Sequence, residues 1–503
     1  MPINRRAFLH SAGLGAAAAA LAGCAGGQTT SPPQPQPSGT AETALPPIDF
    51  PALARKLSGP LITPGQPGYD LARRSFNPLF DNRTPAAVAQ CRRIEDVQVC
   101  VSAAVEARVP IAARSGGHSY PGYSTPDDAL IVDLSGLASV QVNADGTAVI
   151  GAGARLIDVY TALAGAGRCL PAGSCPSVGI AGLTLGGGIG VLSRKYGLTC
   201  DRLVSATVVT ADTTSRTVSA SAEPDLFWAL RGGGGGNFGI VSSLTFDTVP
   251  APELTVFQLN FPAGSAPDVL GSWQQWIISM PDDLCSNCNI TGGSPPGSTI
   301  IGCYVGSASA LDPLLTNLID RVGSQPTVRT IAQHGYLDAM RYFAGCSTKS
   351  TAECHGQASG EHWNREAFVA SSRILPAPVS DPVQIVSACN GQTMLLLIDG
   401  LGGAVSRVKS ADTAFPHREA LATVQIYRKT TPADWAAAAS SVAEVRDQFA
   451  DIIGGGGYVN YLDASMPNWA RAYYGDNLAR LRQVAQRYDP DRLFTFPQSL
   501  TSW

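Results

Sequence analysis

Between Ala113 and Val241 the chain carries three stretches built mostly from glycine and other small residues. The first reads ARSGGHSYPGYST, from Ala113 to Thr125. The second reads AGSCPSVGIAGLTLGGGIG, from Ala172 to Gly190, and the third is Gly232 to Gly236 followed by Asn237-Phe238-Gly239-Ile240-Val241. Small residues over such lengths cannot build a core by themselves. They allow backbone to approach a ligand closely and to aim successive N–H groups at an anion. In the first stretch a strand enters two glycines and leaves through His118, an arrangement that suits a pyrophosphate. It is not a Walker A loop, because no Gly-Lys-Ser/Thr follows, nor a Rossmann fingerprint, because the glycine spacing is absent. Taken alone, it is equally a tight turn with a surface histidine. Three such stretches in one region point to one planar or phosphorylated ligand.

Around them, from about Asn77 to Val249, strand-like and helix-like segments alternate. Ile94 to Ala107 has helical spacing, with Val97, Val101 and Val105 expected on one face. Val109-Pro-Ile-Ala-Ala, Leu130-Ile-Val-Asp-Leu, Ala148-Val-Ile-Gly-Ala and Leu203-Val-Ser-Ala-Thr-Val-Val-Thr read as strands, and Asp225-Leu-Phe-Trp-Ala-Leu as a short helix. From about Leu254 to Val442 the texture changes. Strand candidates at Thr299 to Val305 and Thr393 to Asp399 alternate with helices such as Ala310 to Arg321, and another helix is expected from Asn477 to Arg487. At 503 residues the chain exceeds one ordinary core and implies about two to three domains.

The first residues read as an address. Asn4-Arg5-Arg6-Ala7-Phe8-Leu9 sets a twin arginine before an apolar run from Ala12 to Ala22, which closes on Gly23-Cys24. The run is too short to span a bilayer as a mature helix and fits a signal peptide over 1–24. The twin arginine resembles a Tat export signal, and Leu21-Ala22-Gly23-Cys24 resembles a lipobox, whose cysteine is lipidated and tethers the chain to the membrane. The alternative for Cys24 is a small residue beside an ordinary cleavage site. Residues 25–50 follow as a Pro/Ser/Gln-rich flexible linker. A Tat signal exports folded proteins and suits an enzyme that loads its cofactor in the cytoplasm.

Twelve cysteines also suit an extracytoplasmic protein. Cys346 and Cys354 flank a polar segment, and a disulfide closing that loop is expected. Cys285 and Cys288 form a C-x-x-C without a second pair or paired histidines, so no metal site is expected. A formal net charge of -4 gives no basic field and argues against a nucleic-acid partner.

The glycine stretches resemble the FAD domain of the vanillyl-alcohol-oxidase superfamily, and within it the berberine-bridge-enzyme-like family. Arg114-Ser-Gly-Gly-His118, Cys175-Pro-Ser-Val-Gly179, Leu185-Gly-Gly-Gly-Ile-Gly190, Arg194-Lys-Tyr-Gly-Leu-Thr-Cys-Asp201, Ala414-Phe-Pro-His-Arg418, Tyr458-Val-Asn-Tyr-Leu-Asp463 and Tyr488-Asp-Pro-Asp-Arg492 carry the likeness, from about residue 75 to the end. One departure is Leu183, where many relatives have histidine.

The resemblance implies an α+β fold. A two-part PCMH-type FAD-binding domain over 75–249 would join a substrate domain over 250–455, an antiparallel sheet covered by helices. Residues 456–503 would return to the FAD domain. It implies FAD bonded covalently to His118 through the 8α-methyl and to Cys175 through C6. Further cofactor contacts would come from Arg114, Ser115, Gly116, Gly117, Ser119, Gly122, Val178, Gly179, Gly182, Gly187, Gly188, Gly190, Gly239, Ile240, Val241 and Asn460. Val178 stands where oxygen-using members have valine.

The implied reaction removes a hydride from an alcohol, a carbohydrate for preference, while a base takes the proton and O2 becomes peroxide. Tyr458 and Tyr461 are the candidate bases. A phenol serves as one only with its pKa, ordinarily about 10, lowered by a nearby positive field. If their segment is extended, Tyr458 and Asn460 share the face toward the flavin and Tyr461 points away. Tyr304, Tyr342, Trp363 and Tyr427 form a sugar-stacking wall or, equally in keeping with their type, core aromatics. The competing readings are a dehydrogenase of secondary-metabolite alcohols with a quinone-like acceptor, and a flavin- or sugar-binding lipoprotein without catalysis.

Overall fold

The computed structural model describes residues 48–355 and 365–502. The signal segment with Cys24, most of the linker, and Trp363 lie outside them. Among the described residues the glycine-bearing half holds two small sheets and a two-stranded ribbon, Arg168–Cys169 with Val249–Pro250. In one, Ala87–Gln90, Leu130–Asp133 and Ile111–Arg114 run parallel, with Leu61–Ile62 antiparallel at the edge. The other is antiparallel, in the order Val140–Val142, Thr147–Gly151, Ile240–Asp247, Leu203–Val209 and Ser215–Ser219. The helix Ile94–Ala107 crosses between them and contributes Val97, Cys100, Val101 and Ala104 to the shared core. Val105 does not join that face and is 41% exposed. At 100° per residue the stripe drifts, and a third valine at i+8 has rotated toward solvent.

The other half is one antiparallel sheet of seven strands. Their order is Val328–His334, Leu254–Asn260, Gly297–Val305, Leu284–Thr291, Leu395–Gly400, Ala422–Lys429 and Phe368–Leu375. Helices Ala266–Ser279, Ala308–Val322 and Trp435–Ile453 cover one face. Trp273 and Trp276 are fully buried there, and each indole N–H finds an acceptor, Ser286 Oγ at 3.1 Å and the Leu314 carbonyl at 3.0 Å. Burying such rings drives the packing, and the satisfied N–H groups remove its cost.

Strand alternation then fixes the opposite face. Leu396, Ile398, Val424 and Ile426 point into the helix-covered core, so Leu397, Asp399, Thr423, Gln425 and Tyr427 point the other way. Tyr304 falls on the helix side and packs against that core, so it leaves the proposed aromatic wall. Tyr342 donates to Gln258 Oε1 at 3.4 Å, four strands from Tyr427 and on the order of 19 Å away. The four-ring wall is therefore not assembled.

The fold is the expected α+β arrangement. Arg194 helps join the halves, its buried guanidinium donating to the carbonyls of Leu284, Leu401 and Met280 at 2.8, 2.5 and 3.0 Å. Cys346 and Cys354 form the expected disulfide. Cys285 and Cys288, three apart in a strand, face opposite ways into different cores and share no site.

Candidate active site

The first two glycine stretches touch through their backbones. A Cβ on Gly116 would collide with the Gly179 amide, and one on Gly179 with Ser115. Only glycine permits this approach, and it carries His118 to the turn that follows Cys175. His118 Nε2 lies 3.0 Å from Ser177 Oγ, and Cys175 Sγ lies 3.9 Å from the same oxygen. The two expected anchors thus converge on one hydroxyl. The imidazole stacks on Phe76, with centroids 3.9 Å apart. Burial, with Arg155 nearby, lowers its pKa to about 3, against a hydrogen bond to the Ser177 backbone, so it is neutral. Cys175 is partly exposed, whereas the other described cysteines outside the disulfide are buried.

The second stretch continues through the helix Ile180–Leu185 to Gly188, which takes a left-handed φ of +87°. Its amide and that of Ile189 donate to Tyr458 Oη at 3.0 and 3.3 Å. Asn460 Nδ2 donates to the same oxygen and to the Leu183 carbonyl, both at 2.9 Å. The amides of Gly232 and Gly234 in the third stretch donate to the Leu185 carbonyl. Gly187 backs onto Phe415, Gly190 onto Ala172, and Gly239 onto Val209. Ile240 and Val241 begin a strand with their side chains in the core, so only their backbone is left to meet a ligand.

Arg114 is held by Asp133 and by the carbonyls of Ala72 and Arg74, and acts on the loop from within. Ser119 Oγ caps Tyr123 N at 3.0 Å, and Gly122 turns with φ +72° above Phe80. Val178 closes the Cys175 turn, its amide donating to the Cys175 carbonyl.

These residues fit FAD. Gly182 is exposed, with no atom within 4 Å of where a Cβ would stand, which leaves an open side along the second stretch. Ser124 Oγ and Thr125 Oγ1, at the end of the first, are buried without protein partners. Polar atoms in that state call for a ligand or water.

Opposite lies the polar face of the large sheet. Tyr458 and Tyr461 are not on an extended strand: Val459–Tyr461 is a 3₁₀ turn. Tyr458 and Asn460 still meet, but through the turn. The Tyr458 ring is 2% exposed. Tyr461 is less enclosed, stacks on Tyr120 with centroids 5.7 Å apart, and donates to Asp399 Oδ2 at 3.2 Å. Burial raises both phenols, and Asp399 raises Tyr461 further. Hydrogen bonds from Gly188, Asn460 and Ile189 act to lower Tyr458, but burial outweighs them, so neither phenol meets the condition of a lowered pKa.

Asp399 also accepts from Asn287 Nδ2 at 2.6 Å and from Thr423 Oγ1 at 3.5 Å. Gln425 Nε2 donates to Tyr120 Oη at 2.6 Å. Rings continue from Tyr120 to Phe368 and on to Tyr427, at 5.0 and 4.9 Å. Asp399, Asn287, Gln425, Tyr120 and Ser177 were not singled out from sequence. An acidic residue ending the apolar strand candidate at Thr393 to Asp399 was the one available signal.

Family models agree with this geometry. One described as "FAD binding domain" matches residues 85–219, and one described as "Berberine and berberine like" matches 457–501. The uncharacterized FAD-linked oxidoreductase YgaK of Bacillus subtilis (strain 168) is 35% identical over 451 residues, 88% of this chain and 97% of that protein. The chitooligosaccharide oxidase of Gibberella zeae is 33% identical, over 83% of this chain and 87% of its own. Among solved structures, Physcomitrella patens BBE-like 1 superposes with a TM-score of 0.84 at 29% identity, covering 90% of this chain and 98% of that one. The protein is an FAD-linked oxidoreductase. It belongs to the berberine-bridge-enzyme-like family of these flavoproteins.

Proposed function

We propose that this enzyme oxidises a carbohydrate alcohol, the reducing-end hemiacetal of a sugar becoming a lactone. In this reading FAD is held covalently by His118 and Cys175, and dioxygen is the final acceptor, giving hydrogen peroxide. The observation that carries it is the Tyr461–Asp399 hydrogen bond on the polar sheet face. Bound FAD supplies the hydride acceptor. The chain's own residues handle the proton. A substrate hydroxyl passes its proton to the Tyr461 oxygen as the phenol proton passes to Asp399, so no phenolate has to exist beforehand. A raised phenol pKa is compatible with such a pair, whereas a lone tyrosine base would need a lowered one.

Asn287 and Thr423 hold the carboxylate in place. Tyr458, enclosed and engaged by two amides and Asn460, joins the glycine turn to the tyrosine segment. Tyr120, Phe368 and Tyr427 offer ring faces to a sugar. The chitooligosaccharide oxidase relative supports a carbohydrate substrate. Val178, small and beside the Cys175 turn, supports oxygen access. The twin arginine and Cys24 support Tat export and a lipid-tethered, extracytoplasmic enzyme.

A panel of mono- and oligosaccharides tests the reaction, with bleaching of the yellow protein and peroxide release expected. A panel without bleaching refutes the substrate class. Reduced protein that is stable in air but reoxidised by a quinone refutes the oxidase assignment. Acid precipitation tests attachment: yellow colour stays in the pellet if FAD is covalent and passes to the supernatant if it is not.

A further inference from the structure

One atom, the Ser177 hydroxyl oxygen, reaches both His118 and Cys175. A hydroxyl can accept one hydrogen bond while donating another. We infer that Ser177 is the positioning residue for flavin attachment, accepting the Nε2–H of His118 and donating its own proton to Cys175 Sγ. This rests on the covalent reading above and assigns a role within it.

The geometry sets the chemistry of each anchor. With Nε2 protonated toward Ser177, the lone pair of the imidazole sits on Nδ1, the nitrogen left to form a bond. Phe76, stacked 18° from parallel, fixes the plane of that ring. The neutral state imposed by burial keeps the lone pair available. On the other side, a hydroxyl donor to sulfur favours the thiolate, the nucleophilic form.

Both attachments balance with dioxygen as oxidant. At His118, Nδ1 bonds to the flavin methyl carbon, that carbon loses a proton, and the Nε2 proton departs toward Ser177. At Cys175, sulfur bonds to a ring carbon, and the thiol proton and the ring C–H proton are lost. Each bond leaves two electrons on the isoalloxazine. Dioxygen takes them with two protons and becomes hydrogen peroxide.

The test uses full-length protein made in riboflavin-depleted cells and then supplied with FAD in air. Denaturing-gel fluorescence follows total attachment, and the masses of the His118 and Cys175 peptides report each bond. Ser177→Ala is expected to slow both attachments by about tenfold or more, the effect of removing one hydrogen bond to a developing charge. Ser177→Thr restores them and Ser177→Val does not, although the two side chains are nearly isosteric. That pair separates the hydroxyl from any packing defect. Attachment in Ser177→Val at the Ser177→Thr rate would overturn the inference. Wild-type protein that acquires no denaturation-resistant flavin overturns the covalent reading itself, and the wild-type lane shows which of the two has failed.

Discussion

The two sides of the active site are built from different materials. On the glycine side, close approach is made by backbone, and the residues that matter stand in short unbroken stretches. On the sheet side, side chains from separate strands do the work: Asn287, Asp399 and Gln425 sit on three neighbouring strands, with Tyr461 and Tyr120 meeting them from loops. Backbone contacts survive most substitutions, whereas side-chain contacts are removed one at a time. Mutations on the sheet side should therefore separate chemistry from cofactor binding. The largest expected effect is that of Tyr461→Phe or Asp399→Asn, lowering kcat by about 10²–10⁴ at unchanged flavin content. Tyr458→Phe should act chiefly on stability and flavin pose. If stopped-flow flavin reduction slowed more in Tyr458→Phe than in Tyr461→Phe, the two tyrosines would exchange roles.

One device touches both sides. The Cys346–Cys354 loop belongs to the sheet half, yet its cysteines pack against Ile157 of the glycine half. Next to it, His355 Nε2 lies 2.6 Å from Asp158 Oδ1. Replacing both cysteines by serine should cost about 2–3 kcal/mol for a loop with a sequence separation of 8. Urea unfolding in the presence and absence of reductant measures it. A midpoint that does not move in the double variant would show that the loop is held by packing alone.

The same contrast explains what was legible in the sequence. His118 and Cys175 stood inside contiguous motifs, because a backbone that must pass close to a ligand constrains its immediate neighbours. Ser177 lay in plain view but gained meaning only when the first stretch was folded onto it, 59 positions away. Asp399 and Asn287, 112 positions apart, become neighbours only through strand register, which no local pattern encodes. The tyrosine segment, which β-forming residues leave open to an extended course, is a 3₁₀ turn over Val459–Tyr461. Hydrogen bonds from Gly188 and Ile189 to Tyr458 go with a turn instead. Val105 turned out of its expected face, and Tyr304 took the core alternative over the wall, for a related reason: an aromatic ring or a valine says that a residue packs, not on which face.

A smaller effect separates the imidazoles of the two sides. In the covalent reading His118 is bonded to flavin, which leaves His417 as a neutral, enclosed imidazole free to titrate. Burial lowers its pKa to about 4, against hydrogen bonds to the Gly457 and Tyr473 backbone. In the unfolded chain the group takes up a proton near pH 6.5. The unfolded state therefore binds more protons between pH 6.5 and 4, and stability falls as pH drops through that window, by about 1–2 kcal/mol from pH 7 to 5. His417→Gln should flatten that decline in urea midpoints. An unchanged slope would assign the loss to other groups.

The smallest expected effect sharpens the comparison within the sheet face itself. Asn287 and Asn289 lie two apart on one strand and point the same way, opposite Asp399 and Leu397 respectively. Asn287 holds one oxygen of Asp399 at 2.6 Å, which leaves the other turned to Tyr461. The amide oxygen of Asn289 is buried without a protein partner and makes no contact with that carboxylate. Removing the Asn287 donor with the isosteric Asn287→Leu frees Asp399 to rotate away from Tyr461. The cost should be about one hydrogen bond to a charged group, near tenfold in kcat with little change in KM. In the proposed carbohydrate reading Asn289→Leu should do the reverse, raising KM while kcat holds, because an unpartnered amide on that face would bind ground and transition states alike. Should both variants change KM alone, Asp399 would owe its orientation to Thr423 and the strand, and the proton pair would be set by register rather than by an amide.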